Sequence, residues 1–242
     1  MKKVLITGGA GGIGFEITKK FIENGYFAYV FDTDAENCEK LTKCFGGDRC
    51  EIVSLDVTDV SAIRKYVASL DKDFSLDHII TLAGRALDGE WKPFENQDLE
   101  MIQSSVNLNL LGHINIIHSF LPVLKSGEGD KSIVMISSIN AITNFNLPAY
   151  SAAKAGLVGF MNGIVRELGK EGVRINTVSP GTVKTPATLQ EPKDYEQLLK
   201  TTAINRFATA NEVAKMIYAI CNDFVSVTGQ NYIIDAGQSQ SH

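Results

Sequence analysis

The chain has 242 residues, 44% of them hydrophobic and 21% charged, and its mean hydropathy is +0.01. That length and balance exclude a disordered or fibrous protein and suit one α/β domain with a sizeable core. The net charge of −5 is spread along the chain, which leaves no basic patch for a nucleic acid, and no apolar run approaches the roughly 20 residues needed to cross a bilayer.

Behind Lys2-Lys3 the apolar run is only Val4-Leu5-Ile6 before glycines begin, so the start of the chain reads as a strand and not as a signal peptide. The expectation is a cytoplasmic protein with no nucleic-acid or membrane partner. Cys38, Cys44, Cys50 and Cys221 lack the close pairs of a zinc or redox site and are expected to be free thiols. His113 and His118 stand five apart on one helix pattern, off the shared face that two metal ligands need, so no metal is expected.

In chain order, short β-branched runs alternate with longer amphipathic ones. Strands are predicted at Lys3–Thr7, Ala28–Phe31, Glu51–Ser54, His78–Leu82, Ser132–Ser137, Arg174–Ser179 and Asn231–Ile234. Helices are predicted at Gly12–Asn24, Asp34–Phe45, Val60–Leu70, Gln97–Leu124, Ala149–Gly169 and Asn211–Asn222. The alternation predicts a Rossmann-type α/β fold: a doubly wound parallel sheet of about seven strands, helices on both faces, as a single domain over residues 1–242. A polar, helix-compatible insert between Pro186 and Arg206 follows the sixth strand, where ligands bind in such sheets, and reads as a substrate lid over 186–206.

The first strand runs into Thr7-Gly8-Gly9-Ala10-Gly11-Gly12-Ile13-Gly14 and then a helix. Glycines there let backbone approach a pyrophosphate, and the helix presents its free N–H groups and positive dipole end to it. At the end of the second strand, Asp32 stands about twenty residues further on, where a carboxylate accepts hydrogen bonds from both adenosine ribose hydroxyls. It would repel a 2′-phosphate, so NAD is expected over NADP. The alternative for Asp32 is an N-cap for the helix beginning near Asp34. Tyr150 and Lys154 share a helix face at i and i+4, and an ammonium beside a phenol favours the phenolate, which makes an acid/base unit. Ser137 and Ser138 end the fifth strand just upstream and bring a hydroxyl to the same sheet edge.

With these motifs in this order, the chain resembles the short, single-domain branch of the short-chain dehydrogenase/reductase family over its whole length. Thr7-Gly8, Gly12 and Gly14 match the cofactor loop, Asp56-Val57 resembles the pair that holds the adenine, and Ala83-Gly84 retains the close approach after the fourth strand. Pro180-Gly181-Thr182-Val183 with Thr185 resembles the segment contacting the nicotinamide carboxamide. The resemblance implies a catalytic tetrad of Asn109, Ser138, Tyr150 and Lys154. Ser138 would bind the substrate oxygen, Tyr150 transfer its proton, Lys154 hold both the tyrosinate and the nicotinamide ribose, and Asn109 hold a water leading toward solvent.

Asn109 can instead be a structural polar group in its helix. Ser137 competes with Ser138, because twelve positions separate Ser138 from Tyr150, one fewer than is common. Thr81-Leu82 replaces the usual Asn-Asn, and Asp235-Ala236-Gly237 the usual Asp-Gly-Gly, a change read as small. The resemblance implies an NAD-dependent oxidoreductase acting on a secondary alcohol or ketone, and a homo-oligomer, tetramer or dimer, built through the helices Gln97–Leu124 and Ala149–Gly169. The alternatives are a cofactor-binding regulatory protein and an NAD-using epimerase or dehydratase on the same fold. Leu87, Trp91, Ile142, Phe145 and Leu147 are expected to give the substrate pocket a moderately apolar lining.

Overall fold

Val4 and Ile6 point to one side of the first strand and Leu5 to the other, and all three are fully buried. This period-two pattern with both sides apolar is what a strand covered by helices on two faces requires. The computed structural model describes residues 1–143, 146–185 and 195–240. Its strands are β1 (Lys3–Thr7), β2 (Phe27–Asp32), β3 (Cys50–Ser54), β4 (His78–Thr81), β5 (Lys131–Ile136), β6 (Val173–Pro180) and β7 (Asn231–Ile234). They form one sheet in the order β3-β2-β1-β4-β5-β6-β7, and every pairing is parallel.

The helices are α1 (Gly12–Glu23), α2 (Ala35–Phe45), α3 (Val60–Ser69), α4 (Leu99–Val106), α5 (Gly112–Lys125), α6 (Pro148–Lys170), α7 (Tyr195–Lys200) and α8 (Ala210–Asn222). Two cores result. Val4, Ile6, Val30, Ile80, Val134 and Val178 pack with Ile17 and Phe21 of α1, Leu41 of α2 and Ile217 of α8. Leu5, Phe31, Ile79, Ile133, Met135 and Ile175 pack with Ile63 of α3, Ile116 and Phe120 of α5, and Leu157 and Met161 of α6. Each such side chain contributes about 1.5–3 kcal/mol by leaving water.

Helix starts follow local chemistry. Asp34 caps α2 by accepting from the Asn37 N–H at 3.0 Å, and Thr209 with Glu212 forms a capping box on α8. The single helix expected over Gln97–Leu124 is instead α4 and α5 joined by a π-helical turn at Asn107–Leu111. The side-chain amide of Asn109 donates to the Ser105 carbonyl at 3.0 Å, the acceptor that a regular helix gives to the Asn109 backbone. The helix widens there, and the Gly112 N–H reaches back five residues to the Asn107 carbonyl.

Winding reverses between β1 and β4, so the connections leaving their carboxyl ends separate to opposite faces and open a crevice between them. The loops after β1, β4, β5 and β6 all meet at that edge.

Candidate active site

Two adjoining cavities fill the crevice. One, of about 500 Å³, is lined by Gly8, Asp32, Asn37, Asp56 and Val57 among others. The other, of about 690 Å³, is lined by Ile13, Ser138, Tyr150, Lys154, Pro180, Val183 and Thr185 among others. Gly8, Gly11, Ala83, Gly84 and Arg85 border both, so the cavities form one groove.

The groove fits a dinucleotide. Among the described residues no side chain caps α1, whose N-cap is Gly11 and whose first turn has no acidic residue, so its first N–H groups and dipole suit an anion. Gly8 and Gly12 have φ of +68° and +53°, and a Cβ on Gly8 would come within 2.9 Å of Ala83 backbone. A side chain on Gly14 would collide with the Gly8 carbonyl, which sets how closely α1 packs on the loop.

Asp32 does not cap α2, since Asp34 does. Its carboxylate accepts from the backbone N–H of Ala10 and of Asp34, each at 3.0 Å, and is thereby fixed at the groove wall. Asp56 accepts from the N–H and the hydroxyl of Thr58, both at 2.8 Å. Asn115 donates to the Val57 carbonyl at 3.1 Å. Both residues are thus held at the end of the groove away from Tyr150.

At the other end, Lys154 is fully enclosed. Its ammonium donates to the Ile136 carbonyl at 2.9 Å and lies 5.6 Å from the centre of the Tyr150 ring. Burial pulls its pKa down from 10.5 to about 7. Ser137 donates to the Lys154 carbonyl at 2.8 Å and is committed to the backbone of α6. The Ser138 hydroxyl faces the cavity and exchanges hydrogen bonds with Asn140, donating to its Oδ1 and accepting from its N–H, each at 3.1 Å.

Asn109 lies buried on the π-helical turn and donates to the carbonyls of Arg85, at 2.9 Å, and Ser105. Its Oδ1 has no hydrogen-bond partner among the described residues. Asn109 Oδ1 and the Lys154 ammonium both lie against Gly84, whose φ is +158°.

The changed residues after β4 have their own support. Thr81 pairs with His113 at 2.8 Å, and the Thr7 hydroxyl accepts from the N–H groups of Leu82, at 3.2 Å, and Ala83, at 3.3 Å. Burial, and then the charge of Lys154, hold the His113 imidazole well below its usual pKa and so neutral. Ala236 is not a small change: it occupies φ +58°, a left-handed conformation in which glycine carries no Cβ penalty.

Of the expected pocket lining, Trp91 and Leu147 are in place and Leu87 borders the smaller cavity instead. Ile142 is 51% exposed and outside both linings. Phe145 and residues 186–194 of the expected lid lie outside the described residues. From the rest of the lid, Gln197, Leu198 and Thr201 reach the cavity wall. Two supports have no sequence signal: Gln238, which is fully buried and bonds the Thr182 N–H and hydroxyl, and Glu90, whose carboxylate accepts from the Tyr150 N–H at 3.1 Å. His113, four residues after Asn109 on the same face, was open to discovery from spacing.

A doubly wound sheet with a dinucleotide groove and a tyrosine–lysine pair at one end defines a nicotinamide-coenzyme oxidoreductase as its class. A family model described as enoyl-(acyl carrier protein) reductase matches residues 8–239. The chain is 32% identical to a 3-oxoacyl-[acyl-carrier-protein] reductase of Thermotoga maritima, over 98% of this chain and 97% of that protein. A short-chain dehydrogenase/reductase family oxidoreductase from Burkholderia thailandensis superposes with a TM-score of 0.87 at 29% identity, over 98% of this chain and 92% of that one. The structure of ElxO with NADP bound superposes at 0.89 and 27% identity, over 99% of both chains. The chain belongs to the short-chain dehydrogenase/reductase family and is an oxidoreductase that transfers a hydride between a nicotinamide coenzyme and an alcohol or ketone.

Proposed function

We propose that this member is NAD-dependent, acts on a secondary alcohol or ketone of apolar or mixed character, and uses Tyr150 as the group that gives and takes the substrate proton. The observation that carries this reading is the convergence of Ser138, Tyr150 and Lys154 on one cavity.

A nicotinamide coenzyme in this groove would supply or accept the hydride. Gly8, Gly12, Ile13 and Gly14 would hold the diphosphate, Asp32 the adenosine ribose, and Asp56 and Val57 the adenine. Ala83 and Gly84 flank the middle of the groove, and Pro180, Gly181, Val183 and Thr185 would hold the carboxamide end. Ser138 turns its hydroxyl from Asn140 to the substrate oxygen and fixes it beside Tyr150, whose phenol donates its proton to a ketone or removes one from an alcohol. Lys154 would stabilise the phenolate form and hold the nicotinamide ribose. Asn109 Oδ1 offers an acceptor to a water that passes the proton outward.

Three carboxylates, of Asp32, Asp34 and Asp56, line the smaller cavity against one guanidinium, of Arg85; the net negative charge supports NAD over NADP. Leu82, Ile136, Ile139, Leu147 and Leu198 line the larger one and support an apolar substrate. The described part of the expected lid, residues 195–206, covers it, a role supported by Gln197, Leu198 and Thr201. The four free thiols suit the reducing cytoplasm. Leu99, 70% exposed on α4, and Leu111, 44% exposed on the following turn, support a homo-oligomer built in part through the first of the two expected interface segments, Gln97–Leu124.

The test is Tyr150→Phe, assayed with NADH against acetoacetyl-coenzyme A and 9,10-phenanthrenequinone. The rate should fall by about 10²–10⁴-fold, with NADH binding retained. Turnover at the normal rate would refute the role of Tyr150.

A further inference from the structure

Helix α6 carries both Tyr150 and Lys154, yet its own sequence gives it a poor beginning. The N-cap residue is Leu147, which has no side-chain acceptor, and Pro148 follows in the first turn. The first helical bond runs from the Ser151 N–H to the Leu147 carbonyl at 2.7 Å, so the Ala149 and Tyr150 N–H groups precede the helical ladder. An N-cap Ser, Thr, Asp or Asn normally supplies the acceptor for such groups.

Here the acceptor comes from sixty residues away. One carboxylate oxygen of Glu90 accepts from the Tyr150 N–H at 3.1 Å, and the other accepts from the Leu87 N–H at 3.1 Å. Glu90 is fully buried. A glutamate in that position sheds its hydration only where fixed donors replace it, and the positive end of the α6 dipole adds to the two N–H groups. Its backbone is held as well: the Glu90 N–H donates to the Leu87 carbonyl at 3.2 Å, and the Gln97 side chain donates to the Glu90 carbonyl at 2.9 Å. The carboxylate is therefore a fixed point, and the bond it makes is to the backbone of the residue that carries the phenol.

We propose that Glu90 is a positioning residue for the reaction: a cap for α6, supplied from the loop after β4, that holds Tyr150 in register with Ser138 and Lys154. This rests on the reading of Tyr150 as the proton-transferring group. Glu90 touches neither substrate nor coenzyme in this account; it acts through the Tyr150 backbone. An error of about 1 Å in the placement of a reacting group is enough to cost about 10²-fold in rate.

The test compares Glu90→Ala, Glu90→Gln and Tyr150→Phe in the full chain, with NADH and the same two carbonyl probes. Rates are expressed per coenzyme-binding site, counted by NADH fluorescence titration, so that loss of folded protein does not enter. For Glu90→Ala, kcat should fall about 10–100-fold while KM for the probe stays near its original value. Glu90→Gln should lie between, because an amide matches only one of the two N–H donors and turns its own N–H toward the other; this variant decides the matter if Glu90→Ala does not fold.

A kcat per site equal to wild type in the folded variants, or a rise in KM alone, would overturn the positioning role while Tyr150→Phe remained inactive. An active Tyr150→Phe would instead overturn the underlying reading, and with it this proposal.

Discussion

The ammonium of Lys154 donates to the carbonyl of Ile136, the last residue of β5, at 2.9 Å, and so ties the helix of Tyr150 to the strand that leads into Ser138. The bond holds a cation where burial opposes one, and the pKa falls from 10.5 to about 7. A buried amine beside the Tyr150 ring is thus held at a cost in stability to the coenzyme-free protein.

That cost has a definite pH dependence. The folded-state pKa lies below the unfolded value, so between about 7 and 10.5 the unfolded chain binds the extra proton, and stability rises with pH across that window. Urea unfolding of coenzyme-free Lys154→Met and wild-type protein at pH 7 and pH 9 should show the variant's relative stability declining by about 1.4 kcal/mol per pH unit as pH rises. Lys154→Met should also lose turnover. A stability difference independent of pH would contradict the assignment.

Ser137 and Ser138 separate by what their hydroxyls touch. Ser138→Ala should lower kcat by about 10²-fold or more and leave stability nearly unchanged. Ser137→Ala removes a buried bond to the Lys154 carbonyl and should cost about 0.5–1.5 kcal/mol of stability, with a smaller effect on kcat. Steady-state kinetics beside thermal melts reads both, and the reverse pattern would make Ser137 the substrate contact.

Asp32→Ala removes the carboxylate expected to hold the ribose. We predict a loss in kcat/KM for NAD of about 10–100-fold, the value of a hydrogen bond to a charged group. NADP should lose less, because the repelling charge goes with it. An unchanged ratio between the two coenzymes would show that Asp32 serves only the Ala10 and Asp34 N–H groups.

Ala236 carries strain that glycine relieves. Ala236→Gly should stabilise the protein by up to about 1 kcal/mol, the left-handed penalty less the added chain entropy. A protein of this length then melts about 2–4 °C higher, measurable by scanning calorimetry. A lower melting temperature would mean that the alanine methyl makes packing worth more than its strain.

Much of this was legible in the sequence because the signals are local. The period-two strands, the glycines after β1 and the i, i+4 spacing of Tyr150 and Lys154 each depend on neighbours in the chain. The break at Asn107–Leu111 was not legible: no proline marks it, and it arises where the Asn109 side chain competes for the Ser105 carbonyl. Ser137 and Ser138 look alike in sequence and differ only through α6. Glu90 reads as one more acid in a polar loop, since its partner lies sixty residues away and is a backbone N–H, which every residue but proline has.

The account is tested most directly by the initial rate of coenzyme reduction with a panel of secondary alcohols, cyclic alcohols and 3-hydroxyacyl thioesters, measured with NAD and with NADP. It predicts reduction that depends on a particular alcohol, with kcat/KM at least about tenfold higher for NAD, as loss of one charged contact implies. Preference for NADP would contradict the reading of Asp32 and its neighbouring carboxylates, and tight coenzyme binding with no alcohol-dependent reduction would contradict the oxidoreductase reading of the site.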